Sequence, residues 1–203
     1  MQYTFLFNQA RCIGCKTCVV ACRDWNGIST PGLFLRKHSE ITVETGKNGE
    51  FEIYNMLSAC YHCGKPRCAI ACGLGAIKKD SDTGVVYLDQ TVCHGLRSCQ
   101  TAAGCPYGVI TRPAKNSKIV KDPSWRLSTP AFKCNMCPDR LAEGKLPICV
   151  AACINRALDF GPAEELLKKY PEATQENVVG FEDRGTSPNW FFIRKAAGSV
   201  IVK

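Results

Sequence analysis

Cysteine is the residue type that carries the chemistry of this sequence, and it first occurs in a compact run. Cys12, Cys15, Cys18 and Cys22 follow the spacing C-x2-C-x2-C-x3-C, by which bacterial proteins hold iron–sulfur clusters. Three thiolates on a tight turn hold three corners of a cubane, and the fourth lies about one helical turn further on. Where a protein holds two such clusters, the fourth cysteine ligates the other one. The run therefore predicts a partner run elsewhere in the chain.

Three further cysteine groups follow, roughly every 35–45 residues, as in an internal repeat. Each repeat is too small to bury a core without its neighbour and its cluster. The second group has the spacing C-x2-C-x4-C-x3-C, and the fourth has C-x2-C-x11-C-x3-C. The members are Cys60, Cys63, Cys68 and Cys72 in the second group, Cys93, Cys99 and Cys105 in the third, and Cys134, Cys137, Cys149 and Cys153 in the fourth.

The number and grouping of the cysteines favour metal binding over disulfides. Cysteine supplies 15 of the 203 residues, which is an odd number, and these cysteines are gathered in tight groups. Residues 1–8 lack the basic segment and apolar core of a secretory signal, so an oxidising compartment is not indicated. Structural zinc binding is the alternative, because zinc sites also use C-x2-C pairs, and a zinc protein is expected to be colourless.

The net charge of +8 does not require a nucleic-acid partner. A cubane held by four thiolates carries about −2 when oxidised, so four clusters offset about eight positive charges. Several cations lie beside the cysteine groups and are candidates to offset cluster charge, although a solvated side chain is the alternative for each of them. They are Arg11, Lys16, Arg23, Lys65, Arg67, Arg97, Lys133 and Arg140.

Apolar stretches are too short to cross a bilayer, since the longest, residues 146–155, is about half of the length needed. We therefore expect a soluble subunit that reaches a membrane only through a partner. The remaining patterns predict short elements and an irregular tail. They are a strand over 2–8, a helix over 15–25, a hairpin of 42–45 with 51–54, a strand over 84–89, a strand over 157–160, a helix over 161–170, and an extended arm over 175–203 that packs on this subunit or on a partner.

Four groups make two pairs of ferredoxin type, in which each group lends its last cysteine to its mate. Two pairings are natural. Neighbours can pair, so that the first group joins the second and the third joins the fourth. Alternatively the pairs are nested, with the second group joining the third inside a pair formed by the first and the fourth.

The order of the four spacings resembles that of the four-cluster electron-transfer subunit of the anaerobic dimethyl sulfoxide reductase family, whose members serve molybdopterin enzymes. The likeness covers about residues 1–170 and extends beyond the cysteines. It includes residues 51–55, 139–149 and 156–162, the Cys105-Pro106-Tyr107-Gly108 end of the third group, and more weakly residues 187–189.

The resemblance implies an α+β fold of two nested bacterial-ferredoxin-like modules, loop-rich, with short strands and helices around the clusters. The first module is discontinuous and takes residues 1–55 and 123–162. The second, inserted module takes residues 56–122. Residues 163–203 form a C-terminal helix and arm.

The resemblance also implies the ligands of each cluster. Cluster 1 takes Cys12, Cys15, Cys18 and Cys153, and cluster 2 takes Cys22, Cys134, Cys137 and Cys149. Cluster 3 takes Cys60, Cys63, Cys68 and Cys105, and cluster 4 takes Cys72, Cys93 and Cys99.

Leu96 stands where the family has the fourth cysteine of cluster 4. Leucine has no ligand atom, and in the related nitrate reductase subunit an apolar residue at this place goes with a [3Fe-4S] cluster. We therefore expect three [4Fe-4S] clusters and one [3Fe-4S] cluster. The alternatives for the fourth site are a [4Fe-4S] cluster with a non-cysteine ligand such as His94, or an empty site.

Further departures from the family lie near the clusters. Five residues separate Cys99 from Cys105 where the family usually has three, which puts the surroundings of cluster 4 in question. Arg23, Gly73 and Ile154 stand where ferredoxins often have proline after the fourth cysteine.

These features predict a non-catalytic electron relay, since irons with all thiolate positions filled leave no open site for a substrate. The implied partner is a large molybdenum or tungsten molybdopterin subunit next to cluster 1. A quinol-oxidising membrane anchor or a soluble donor is expected near cluster 4. The alternative is a free polyferredoxin or a hydrogenase-complex relay. The expected location is the cytoplasm, or the membrane periphery after folded export with a partner that bears a twin-arginine signal.

Overall fold

Strand β1 (Tyr3–Asn8) lies at the centre of the main three-stranded sheet. Strand β6 (Leu158–Pro162) pairs with it antiparallel, with Phe5 opposite Phe160, and β7 (Trp190–Ile193) pairs with it parallel, with Phe5 opposite Trp190. The computed structural model describes residues 1–29, 31–45, 49–93, 104–112 and 131–196. The sheet thus brings the beginning, the late part and the tail of the described chain together.

Two antiparallel hairpins flank the cysteine groups. The longer pairs β2 (Arg36–Glu44) with β3 (Phe51–Ala59) and leads directly into Cys60. The shorter pairs β4 (Ile77–Lys79) with β5 (Val86–Leu88) and lies between Cys72 and Cys93. Both hairpins therefore position cysteine groups at their ends.

The helices are short and follow the cysteine loops. They are α1 (Thr17–Trp25), α2 (Arg67–Ile70), α3 (Pro138–Ala142), α4 (Ile148–Ala151) and α5 (Ala163–Lys169). Helix α1 ends at Asn26-Gly27, where the backbone turns left-handed at Gly27, as helix C-termini commonly do. None of the helices in the described ranges has the length and apolarity that a bilayer crossing needs.

Aromatic side chains from distant segments fill the core over the main sheet. The Trp190 ring lies 5.0 Å from that of Phe5 and 5.2 Å from that of Tyr61, and the Phe181 ring lies 4.5 Å from that of Phe192. Such tilted and edge-to-face pairs add stabilisation beyond buried area. The core therefore joins the first strand, the second cysteine group and the tail.

The structure confirms the predicted strand over 2–8, the helix over 15–25, the strands near 84–89 and 157–160, and the helix over 161–170. The hairpin is also confirmed, but it begins at Arg36 rather than near residue 42. Strand β7 has no counterpart among the predictions. Because β7 adds to β1 in parallel, no adjacent turn or hairpin marks it in the sequence.

Residues just before β7 also contact the second cysteine group. The amide of Gly64 donates to the carbonyl of Ser187 at 2.6 Å, and the backbone amide of Asn189 donates to the carbonyl of Tyr61 at 2.8 Å. The described part of the tail therefore packs on this subunit.

Phe192 tests the contribution of β7 to stability. Its side chain is fully buried against Phe181, so Phe192→Ala is expected to lower the free energy of unfolding by about 3–5 kcal/mol. Phe51→Ala is the matched control, because Phe51 is 63% exposed and its loss is expected to change stability by about 0.5 kcal/mol or less. Anaerobic denaturant unfolding measures both. Equal effects would contradict a packed β7.

Candidate iron–sulfur sites

The loop of the first cysteine group is shaped by two residues with positive φ and anchored by the long hairpin. Gly14 has φ +70° and Lys16 has φ +62° just before α1. The Asn55 side chain in β3 donates from Nδ2 to the carbonyl of Cys12 at 2.8 Å, and its Oδ1 contacts His38 Nε2 at 2.8 Å. The hairpin thus fixes the turn that presents the first thiols.

The structure brings the thiols of Cys12, Cys15, Cys18 and Cys153 together, and these four are called the first set. Burial raises the pKa of Cys12, and a hydrogen bond from the backbone of Gly14 partly offsets that rise. The charges of Cys153 and Cys15 raise the pKa further. Burial likewise raises the pKa of Cys18, which also feels Cys153. The exposed Cys15 differs, because a hydrogen bond from Thr17 Oγ1 at 3.4 Å lowers its pKa.

The second set consists of Cys22, Cys134, Cys137 and Cys149, and it lies where α1 packs against α4. All four thiols are buried. Burial raises the pKa of Cys22, and the charges of Cys134 and Cys149 add to that effect. Burial also raises the pKa of Cys137 to about 11. Without iron these thiols are protonated at neutral pH, so binding iron must displace protons.

The third set, Cys60, Cys63, Cys68 and Cys105, lines one pocket together with Tyr61 and Ile110. Burial raises the pKa of Cys63 to about 11 and that of Cys68 to about 12, and in both cases neighbouring thiols of the set contribute. Thr186, in the tail, donates from Oγ1 to Cys63 Sγ at 3.3 Å. The tail therefore adds a hydrogen bond to this set that no sequence motif indicates.

Only part of the predicted fourth site falls within the described residues. Cys72 and Cys93 are half-buried beside Ile77, Ile110 and Ala131, in the same apolar cluster as Cys68 and Cys105. The amide of Ala131 donates to Cys93 Sγ at 3.5 Å. His94, Leu96 and Cys99 lie outside the described residues.

Successive sets lie next to each other. The charge of Cys18 in the first set raises the pKa of Cys149 in the second, behind the larger effect of burial. The charge of Cys134 in the second set acts in the same way on Cys60 in the third, again after burial. The first three sets therefore form a series in which the second set stands between the other two.

Arg36 is a buried cation that no sequence pattern singles out. It is only 1% exposed, and among the described residues no oxygen accepts from its Nε, Nη1 or Nη2. Burial alone would lower its pKa, but the negative charges of Cys149, Cys134, Cys18 and Cys22 raise it. A buried charge needs a compensating partner. Thiolates that bear an anionic cluster supply that partner, so the donor sets and Arg36 together fit iron–sulfur clusters.

The thiol arrangement differs from that of a single-ion site. Within the ranges that the structure describes, no three Cys, His, Asp or Glu side chains converge closely enough to bind one metal ion. A zinc site needs all of its sulfurs about 2.3 Å from one ion. A cubane instead presents a separate iron to each thiolate.

Gly14 provides a test of how the hairpin holds the first set. A Cβ at Gly14 would lie 2.7 Å from Asn55 Oδ1, so Gly14→Ala is expected to displace Asn55 and to remove about four irons per chain. Gly49→Ala is the control, since Gly49 has a similar φ of +73° with no described atom within 4 Å of the added Cβ. Anaerobic iron counting compares the two, and full iron content in Gly14→Ala would contradict the anchoring role of Asn55.

Known iron–sulfur proteins are similar to this chain. Two families, both described as 4Fe-4S dicluster domains, match residues 51–163 and 11–76. The B subunit of anaerobic dimethyl sulfoxide reductase from Escherichia coli K12 is 40% identical over 175 residues, which cover 83% of this chain and 78% of that protein. The B subunit of the same reductase from Haemophilus influenzae is 35% identical over 184 residues, covering 88% of this chain and 82% of that subunit.

A second kind of relative is the iron-sulfur subunit of the nitrate-inducible formate dehydrogenase of E. coli K12. It is 30% identical over 194 residues, which cover 89% of this chain and 60% of that subunit. The first dicluster match alone spans more than half of this chain. The chain belongs to the 4Fe-4S dicluster family that includes the B subunits of anaerobic dimethyl sulfoxide reductases.

Proposed function

We propose that this chain is a non-catalytic electron-transfer subunit that relays single electrons to or from a molybdopterin-containing catalytic subunit. The observation that carries the proposal is the series of thiol sets, in which the charge of Cys18 acts on Cys149 and the charge of Cys134 acts on Cys60. The named functions of its relatives, a dimethyl sulfoxide reductase subunit and a formate dehydrogenase iron-sulfur subunit, support it.

The proposed ligands of clusters 1 to 3 are the first, second and third sets. This assignment corresponds to nested modules, with residues 1–55 and 123–162 around an inserted module of 56–122, followed by the helix and arm of 163–203. The pairing of β1 with β6 and the packing of α1 on α4 support the discontinuous outer module. Neighbour pairing of the first and second groups has no comparable support, because the thiols whose charges act on Cys22 are Cys134, Cys149 and Cys137.

For the fourth site we propose Cys72, Cys93 and Cys99 as ligands of a [3Fe-4S] cluster, with Leu96 in place of a fourth cysteine. The closeness of Cys72 and Cys93 to Cys68 and Cys105 supports a site next to cluster 3. A [4Fe-4S] cluster with a non-cysteine ligand and an empty site are the two alternatives, and an iron count of the purified complex distinguishes them.

When bound, the clusters exchange single electrons, and the protein tunes and shields them. The buried thiols of the second set keep water away from the middle of the relay. Hydrogen bonds to sulfur stabilise added negative charge and so raise the potential. Thr17 at Cys15, Thr186 at Cys63 and the amide of Ala157 at Cys153 are such donors.

The first set is the proposed port to the catalytic subunit. Cys15 is exposed, and two apolar residues beside the set, Ile13 and Ile154, are 49% and 66% exposed. Exposed apolar residues around a redox site suit a partner that excludes water there. Cluster 4 then lies at the far end, toward a quinol-oxidising membrane anchor or a soluble donor. The proposed location is the cytoplasm, or the membrane periphery after folded export with a partner.

Purification of the native complex tests the function. The expected result is co-purification with a much larger molybdenum- or tungsten-containing subunit and about 15 irons per chain, with the EPR signal of an oxidised [3Fe-4S] cluster. About sixteen irons without that signal would indicate four cubanes, and about twelve an empty fourth site. Isolation as a stable monomeric carrier would overturn the proposed partner and favour a polyferredoxin.

Two serine variants test the ligand sets. Cys153→Ser is expected to alter the EPR spectrum of cluster 1 alone, and Cys22→Ser that of cluster 2 alone, because serine replaces one thiolate in each. Thr174→Ser, which changes a hydroxyl residue bonded to the backbone of Glu176, is the control. If Cys22→Ser altered cluster 3 instead, the first and second groups would be paired as neighbours.

A further inference from the structure

Arg36 is a buried cation whose surroundings include thiols of the first two sets. The side chain extends from the first residue of β2, opposite Ala59, and its guanidinium carbon lies 5.1 Å from the Phe5 ring and 5.0 Å from the Trp190 ring. Its charge acts on Cys18 of the first set and on Cys22, Cys134 and Cys149 of the second. The guanidinium therefore lies against two aromatic rings, and thiols of both sets are near enough to respond to its charge.

The aromatic contacts do not remove the need for an anion. A cation held over rings gains from their negative faces, but a guanidinium taken out of water also loses the hydrogen bonds of its nitrogens. No oxygen in the described residues replaces those bonds. The position is therefore explained by negative charge on the two neighbouring sets, and a purely structural arginine would be expected to find carbonyl or carboxylate partners.

Lys133 occupies the corresponding place between the second and third sets. It is 5% exposed, and its Nζ donates to the carbonyl of Val86 and, at 2.7 Å, to that of Cys134. Its charge acts on Cys134 of the second set and on Cys60 and Cys68 of the third. Each junction in the series of three sets therefore contains one buried cation.

We propose that Arg36 and Lys133 are tuning residues of the relay, each a fixed positive charge that raises the reduction potentials of the two clusters on either side of it. Arg36 acts on clusters 1 and 2, and Lys133 acts on clusters 2 and 3, so cluster 2 is under the influence of both. The inference rests on the ligand sets proposed above.

The physical reason is the change in cluster charge on reduction. A cubane that accepts one electron from its neighbour becomes more negative by one unit, and a nearby cation stabilises that reduced state. The effect is large where water is excluded, because the interior screens charge weakly. A surface cation of the same charge is screened by solvent and salt. Burial thus makes these two cations differ from the many exposed ones in this basic chain.

The test replaces each cation by a neutral side chain in the purified complex and measures every cluster potential by EPR-monitored redox titration. Arg36→Met is expected to lower the one-electron reduction constants of clusters 1 and 2 at least tenfold, which is about 59 mV each, and to leave cluster 3 unchanged. Lys133→Met is expected to do the same to clusters 2 and 3 and to leave cluster 1 unchanged.

The control variants separate charge from packing. Arg36→Lys and Lys133→Arg keep the charge and are expected to keep each potential within a tenfold change in the reduction constant. Arg194→Met removes an exposed cation and is expected to shift none of the three. If the Arg36→Met complex contains less iron than the unmodified complex, the potentials of clusters 1 and 2 are measured instead in Arg36→Gln, whose side chain is neutral and polar.

Two results would overturn the inference. One is an unchanged potential for clusters 1 and 2 in a neutral Arg36 variant that retains its iron. The other is an equal shift of all clusters in both variants, which would indicate a general loss of packing. Failure of the proposed relay itself would be recognised separately, because the redox titration of the unmodified complex would then show fewer than three clusters.

Discussion

The concentration of thiols in the interior is the constraint on which the rest of the structure depends. Burial raises the pKa values of these thiols, so they can carry charge only when iron and buried cations compensate it. The short helices, the loops with positive φ and the aromatic core all serve to place thiols in sets. Folding and cluster binding are therefore coupled in a chain whose described helices and strands are short.

The same constraint explains why the chain closes on itself. The first cysteine run supplies thiols to two neighbouring sets, and its complements come from residues 134–153 rather than from the next group. Strand pairing of β1 with β6 and β7 holds these distant segments in register. Residues 12–22 thus supply thiols to both cluster 1 and cluster 2 of the proposed relay, and the charge of Arg36 acts on both of those sets.

Positive side chains occur both on the surface and in the interior of the folded chain, which its composition does not show. Most Lys and Arg side chains of the described ranges are exposed, and Arg36 and Lys133 are the only buried ones there. Lys133 directly precedes Cys134, so the sequence alone identifies Lys133 as a cation that could offset cluster charge. Arg36 begins an ordinary strand, and its sequence neighbours, Leu35 and Lys37, do not indicate that a cluster is near.

The sequence by itself determined the chemistry, because thiolate spacing within a run is a local property and the order of four runs is specific to one family. It also determined most short elements, which are set by local turns and alternation. The resemblance to one family implied which distant thiols form sets, and the structure brings the thiols of the first three sets together. The tertiary structure alone decided that β7 completes the main sheet, that Thr186 reaches Cys63, and that Arg36 is buried beside thiols of two sets. These contacts join residues far apart in the chain, and such contacts depend on how segments pack rather than on any local pattern.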